Sequence, residues 1–116
     1  MSQDTSSLPN VVAASWQSRF RLAPDHVAAL CARWGIVELS LFGSALRQDF
    51  RPDSDVDVLV TFAEGAGYTF ESLPDLLDEL SALFLGRRID LVEKPLITNP
   101  FRRHAILAAH QVVYAA

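Results

Sequence analysis

The chain has 116 residues, of which 50% are hydrophobic and 21% are charged. It therefore has enough apolar material for one folded core and too much for an intrinsically disordered protein. Its length excludes a large enzyme with separate substrate and template domains. The net charge of -4 and the pI of about 5.2 argue against bulk binding of nucleic-acid backbones. No apolar run approaches the roughly 20 residues of a membrane span, so we expect no membrane partner.

The N-terminal segment and the cysteine content bear on domain organisation and location. Residues 1–21 are rich in Ser, Asn, Gln and Ala and show weak periodicity, so we expect a mobile or loosely docked leader followed by one domain at 22–116. The first ten residues lack the basic-then-apolar pattern of a secretory signal. Cys31 is the only cysteine, which excludes an internal disulfide and is typical of a reducing cytoplasm.

Helical and strand periodicities alternate along the rest of the chain. A proline in the first turn and a glycine past the end mark the first helix, and Ser72 is the predicted N-cap of the second. In chain order the predicted elements are a helix over 24–34, strands over 37–42 and 55–62, a helix over 73–84, a strand over 88–92, a helix that opens at 99–100 and a strand over 111–114. This order predicts a small α/β or α+β domain with one helical layer on a short sheet. The two adjacent strands without a helix between them argue against a dinucleotide-binding unit.

Two aspartates, Asp55 and Asp57, lie two residues apart on the second predicted strand. They share one face of the strand, while Val56 and Val58 point to the helices. Like charges held this close are unfavourable unless a cation or a shared proton offsets them. Carboxylate oxygens select Mg²⁺ or Mn²⁺. Taken alone, however, the pattern is more often a solvent-facing acidic strand.

A Gly43-Ser44 pair ends the preceding strand, and ten residues separate Ser44 from Asp55. A glycine lets the backbone approach a phosphate closely. The amides of the turn and the serine hydroxyl would then donate to that anion. Alone, such a pair is most often only a turn. Beside a carboxylate pair, it forms the combination that nucleoside triphosphate chemistry needs.

The segment from Leu41 to Val60 resembles the signature of the nucleotidyltransferase superfamily, Gly-Ser followed by ten residues and Asp-x-Asp. It is most similar to the minimal nucleotidyltransferases, the antitoxins encoded beside HEPN-domain toxins. The resemblance extends from about Val27 to the C-terminus and includes the stretch 86–92. Gln48 stands where such sequences often have glycine, and Ala45 replaces a frequently larger residue. These departures bear on substrate positioning and leave the acidic residues intact.

The resemblance implies a nucleotidyltransferase fold of the α+β two-layer kind, with a short mixed sheet and helices packed on one face. It also implies that Asp55, Asp57 and Asp90 are catalytic and bind metal, the first two bridging two Mg²⁺ ions that Mn²⁺ can replace. Asp90 would help to activate the attacking hydroxyl. Ile89 and Leu91 alternate with Asp90, so its side chain should emerge on the face opposite to theirs. If this strand neighbours that of Asp55, the three carboxylates converge.

The phosphate-binding residues implied by the resemblance are Gly43, Ser44 and Arg47. Arg47 follows the glycine by four positions, and a guanidinium can hold a phosphate through two parallel hydrogen bonds. A surface salt bridge from Arg47 to Asp49 or Asp53 is the alternative.

For function, the resemblance implies transfer of AMP from ATP to a hydroxyl of a partner protein, a tyrosine of a HEPN ribonuclease toxin that is silenced by the modification. Two alternatives stay open at this point. One is an antitoxin that masks its partner stoichiometrically without catalysis. The other is nucleotidyl transfer to a small-molecule hydroxyl, which usually needs an additional domain. The sequence does not decide between a homo-oligomer and a hetero-oligomer.

Overall fold

The computed structural model describes residues 20–47, 51 and 53–116. Every predicted helix and strand is present, and their ends differ from the predicted ones by one residue or none. The elements are α1 (Pro24–Trp34), β1 (Ile36–Phe42), a 3-10 turn (Gly43–Leu46), β2 (Val56–Phe62), α2 (Leu73–Leu83), β3 (Ile89–Glu93), a second 3-10 turn (Lys94–Leu96), α3 (Pro100–Ala108) and β4 (Gln111–Ala115).

The strands form a mixed sheet in the order β3-β2-β1-β4. β1 is antiparallel to both β2 and β4, whereas β2 and β3 are parallel and are connected through α2. In this register Asp57 lies opposite Asp90 on β3 and opposite Phe42 on β1. The topology therefore brings the predicted third acid next to the Asp-x-Asp strand, as the sequence leads us to expect.

The main core lies between one face of the sheet and the helices α1 and α2. Val56, Val58 and Val60 of β2 are fully buried in it. Because successive residues of a strand point to opposite faces, Asp57 is directed to the other face. The predicted orientation of this strand is confirmed.

The helix α3 lies on that other face. Its Ile106 packs with Phe42 of β1 and Leu59 of β2, whose neighbours in sequence face the main core. The predicted α+β class and mixed sheet are confirmed, but the prediction that the helices share one face holds for α1 and α2 and fails for α3. The physical reason is that Leu59 is apolar and lies on the side of β2 that also carries Asp57. Burying Leu59 requires a helix on this face as well.

Phe20 lies within the segment predicted to precede the domain. Phe20 is fully buried and packs edge-to-face on Phe84, with ring centroids 5.2 Å apart. The packed part of the chain therefore begins before residue 22. The rest of the predicted leader, residues 1–19, lies outside the described residues, and its docking stays a prediction. In the part of the chain that the structure describes, no helix is long and apolar enough to cross a membrane.

The residues that precede α2 and α3 differ in whether they cap the helix. Ser72 precedes α2, but its hydroxyl accepts a hydrogen bond from the Thr69 amide at 2.8 Å and caps no helix amide. The backbone at Ser72 is already helical, so its side chain points back to the preceding turn. Asn99 does cap α3, because its Oδ1 accepts from the amides of Phe101 at 2.9 Å and Arg102 at 3.1 Å.

Candidate active site

The predicted phosphate-binding turn is the 3-10 turn at the end of β1. Gly43 has a φ of +66°, in the left-handed region that favours glycine. A β-carbon added there would overlap Oδ2 of Asp57. A glycine is therefore needed for two reasons, the backbone conformation and the close approach of this turn to the carboxylate of the neighbouring strand.

Ser44 ties the turn to β2. Its backbone amide donates a hydrogen bond to the carboxylate of Asp57, and its hydroxyl donates to the carbonyl oxygen of Asp55 at 3.3 Å. The turn and the start of the Asp-x-Asp strand thus form one unit. The binding of a phosphate by the Ser44 hydroxyl stays a prediction.

Asp57 and Asp90 form the acidic pair of the site. They lie opposite each other on β2 and β3, close enough for Asp90 to raise the pKa of Asp57. Burial raises the pKa of Asp57 above its usual value, the Ser44 amide partly opposes this, and the charges of Asp90 and then Asp55 raise the pKa further. The site therefore holds more negative charge than it can stabilise alone. A proton or a cation between the two carboxylates would relieve it.

Asp55 forms an ion pair with Arg88. Its Oδ1 lies 3.2 Å from Nε of Arg88, and both side chains are well exposed. Among the described residues no group of three or more acid, histidine or cysteine side chains is close enough to hold a metal ion. The predicted convergence of three carboxylates is thus partial. An exposed ion pair of this kind contributes little free energy, so binding of a divalent cation by Asp55 would have only a weak competitor.

The donor set nevertheless fits a hard divalent cation. Asp57 and Asp90 offer oxygen ligands from one face of two neighbouring strands, and oxygen ligands are those that Mg²⁺ prefers. Burial raises the pKa of Asp57 most and the charges of Asp90 and Asp55 raise it further, and a bound cation would oppose both effects. Asp57 and Asp90 would hold the ion directly, and Asp55 would join them after release of Arg88.

Two arginines at the start of β3 belong to the site and were not singled out in the sequence. Arg88 pairs with Asp55, and its spacing of two from Asp90 is the signal that places it on the same strand face. Arg87 donates from Nη1 to the carbonyl oxygens of Arg51 at 2.8 Å and Ser54 at 3.4 Å. It therefore fixes the loop that leads into Asp55, a role that no local sequence pattern indicates.

Arg47 directly follows the turn. Its amide donates to the carbonyl oxygen of Ser44 at 3.1 Å, which closes the turn, and its exposed side chain lines a groove beside Gly43. Asp49 lies outside the described residues. Phosphate binding by Arg47 and its alternative, a salt bridge to Asp49 or Asp53, therefore both stay predictions.

Comparison with known proteins places the chain in a family. Residues 24–113 match the nucleotidyltransferase domain. The protein adenylyltransferase MntA of Thermococcus cleftensis is 34% identical over 94 residues, which are 77% of this chain and 84% of that relative. A solved structure described as a candidate minimal nucleotidyltransferase has 38% identity and a TM-score of 0.60, over 76% of this chain and 86% of that one. A crystal structure of a toxin-antitoxin with AMP-PNP has a TM-score of 0.61 over 82% of this chain and 75% of that one, and at 16% identity its likeness shows the fold alone. This chain therefore belongs to the nucleotidyltransferase domain family and resembles its minimal members.

Proposed function

We propose that the chain is a Mg²⁺-dependent protein adenylyltransferase that transfers AMP from ATP to a tyrosine hydroxyl of a partner protein. The observation that carries this proposal is the Asp57–Asp90 carboxylate pair held against the Gly43-Ser44 turn. The name of the relative from Thermococcus cleftensis supports AMP as the transferred group and a protein as the acceptor. The toxin-antitoxin structure with AMP-PNP supports an antitoxin role. We take the partner to be a HEPN ribonuclease toxin that the modification silences.

The reaction is an in-line displacement at the α-phosphorus of ATP. The hydroxyl oxygen of the acceptor forms the new bond, the bond from the α-phosphorus to its bridge with the β-phosphate breaks, and pyrophosphate leaves. The hydroxyl proton passes to a carboxylate, for which Asp90 is placed beside Asp57. Two Mg²⁺ ions, held by Asp55, Asp57 and Asp90 and replaceable by Mn²⁺, would supply positive charge to the phosphate oxygens when bound.

The phosphates are assigned to the turn and to Arg47. Because Gly43 has no side chain, the turn lies directly against the Asp57 carboxylate, and phosphates bound at the turn would lie beside that carboxylate. The guanidinium of Arg47 would donate to the phosphates, and the hydroxyl of Ser44 would do so after turning from the carbonyl oxygen of Asp55. We place the reaction in the cytoplasm, which agrees with the buried, unpaired thiol of Cys31, whose pKa burial raises to about 11.

The binding step is tested by thermal melting with ATP alone, Mg²⁺ alone and both together. We expect the combination to raise the Tm by more than the two separate shifts added, because the metal neutralises the charge that Asp57 and Asp90 place beside the triphosphate. At ligand concentrations about 100-fold above Kd, the stabilisation is about 2.7 kcal/mol. Asp57→Asn should lose the excess shift, and Asp78→Asn, at an exposed acid of α2, should keep it. The absence of an excess shift in the wild type at millimolar ATP would contradict the proposal.

A further inference from the structure

A groove runs between the 3-10 turn and α3, on the face of the sheet that carries the acidic pair. Gly43, Leu46 and Arg47 form its turn side, and Ala105 and Ala109 form its helix side. Its volume of about 430 Å³ lies within the range of roughly 300–1,000 Å³ that small-molecule sites occupy. We call it the α3 groove.

The α3 groove is continuous with the candidate active site. Phe42, which lines it, lies opposite Asp57 in the β1–β2 register. Gly43 is common to both, since it lines the groove and abuts the Asp57 carboxylate. A ligand in the groove therefore lies beside the turn to which the phosphates are assigned.

The lining favours a flat and largely apolar group. Ala105 lies on α3 and Ala109 directly follows its last residue, and the short side chains of both let a ring approach this end of the helix. Phe42 and Ile106 add apolar surface. Among the described lining residues Arg47 has the charged side chain, and a guanidinium stacks on aromatic rings as well as binding phosphate.

We propose that the α3 groove binds the base of the donor nucleoside triphosphate, an inference that rests on the proposed function. A nucleotide is the ligand that joins phosphates to a flat aromatic ring, and the groove joins the phosphate turn to an apolar surface. Among the described residues that line the groove, none carries an amide, carboxyl or hydroxyl group that would bind the edge of a base. The groove therefore selects by contact area, with purines preferred to pyrimidines and adenine and guanine bound alike.

The test compares a groove variant with a matched control in the absence of any acceptor. Ala105→Leu fills the groove from α3, and Ala82→Leu makes the same change at an exposed position of α2. Leucine is nearly as good a helix former as alanine, so both variants should fold. Calorimetric titration measures the Kd for ATP and for inorganic tripolyphosphate, each with Mg²⁺. We expect Ala105→Leu to weaken ATP binding by about tenfold or more, the effect of losing the contacts of one stacked base, and to leave tripolyphosphate binding unchanged.

Further titrations separate an effect at the groove from a general effect of the substitution, and they compare different bases. Ala82→Leu should bind both ligands as the wild type does, and Ala109→Leu should reproduce the effect of Ala105→Leu. The wild type should bind GTP as tightly as ATP, and CTP more weakly. Unchanged ATP binding by both groove variants, or an equal loss of ATP and tripolyphosphate, would overturn the base site and leave the proposed function standing. A wild type that binds neither ligand would contradict the proposed function itself.

Discussion

Asp57→Asn is expected to lower the rate of AMP transfer by at least about 10²- to 10³-fold, the loss seen when one preorganised electrostatic contact to a transition state is removed. Asn keeps the volume of the side chain but removes the charge that would hold the metal. The loss should appear in single-turnover transfer of radiolabelled AMP. Asp78→Asn, at an exposed acid of α2, should transfer at the wild-type rate. Near-normal transfer by Asp57→Asn would show that the catalytic assignment is wrong.

Asp57→Asn should also leave the metal-free fold intact. It should remove part of the pH dependence of the free energy of unfolding. The pKa of Asp57 is raised in the folded chain, chiefly by burial, above its ordinary value of 3.8. Between 3.8 and the raised pKa the folded state binds more protons than the unfolded state, so the free energy of unfolding falls as the pH rises. Asp57→Asn should lack this fall and be no less stable than the wild type at neutral pH. Urea unfolding from about pH 4 to about pH 7 measures the difference.

Gly43→Ala is expected to reduce transfer by about 100-fold or more, because the new β-carbon would displace the carboxylate of Asp57 from Asp90 and from the Ser44 amide. The carboxylate can rotate away, so the fold should survive. The backbone strain of a left-handed alanine adds a cost of about 1–2 kcal/mol. Transfer kinetics and urea unfolding of the same preparation separate the two effects.

Gly65→Ala is the matched control for this change. Gly65 has a φ of +79°, and a β-carbon there would have no atom within 4 Å. Gly65→Ala should therefore have a lower free energy of unfolding because of backbone strain, and it should keep the wild-type rate of transfer. If Gly43→Ala also kept its rate, the contact between the turn and Asp57 would have no part in catalysis.

The elements of this fold could be predicted because local patterns determine them. The alternating valines of β2 decide which face Asp57 takes, and the glycine after Trp34 ends α1 in the left-handed conformation. The place of Asp90 follows once β3 is known to lie beside β2. Strand periodicity gives the face of each acid, and the parallel pairing of β2 with β3 brings Asp57 and Asp90 together.

The features that the sequence did not predict depend on contacts between residues distant in sequence. The position of α3 follows from the need to cover Leu59 and Phe42, which becomes visible only when the two faces of the sheet are compared. The pairing of Asp55 with Arg88 depends on side-chain orientation, which strand alternation does not specify. Ser72 satisfies the sequence rule for an N-cap, yet the preceding turn holds its hydroxyl.

The central claim is that the chain acts by covalent transfer of AMP and not as a stoichiometric mask. The most direct measurement is intact-mass spectrometry of the proposed HEPN-domain partner after incubation with a sub-stoichiometric amount of the chain, ATP and Mg²⁺. Covalent transfer predicts that an excess of partner gains the mass of one or more AMP units and loses ribonuclease activity, and that Asp57→Asn produces neither change. A partner that is fully neutralised only at a molar ratio near one-to-one, with its mass unchanged, would contradict covalent transfer.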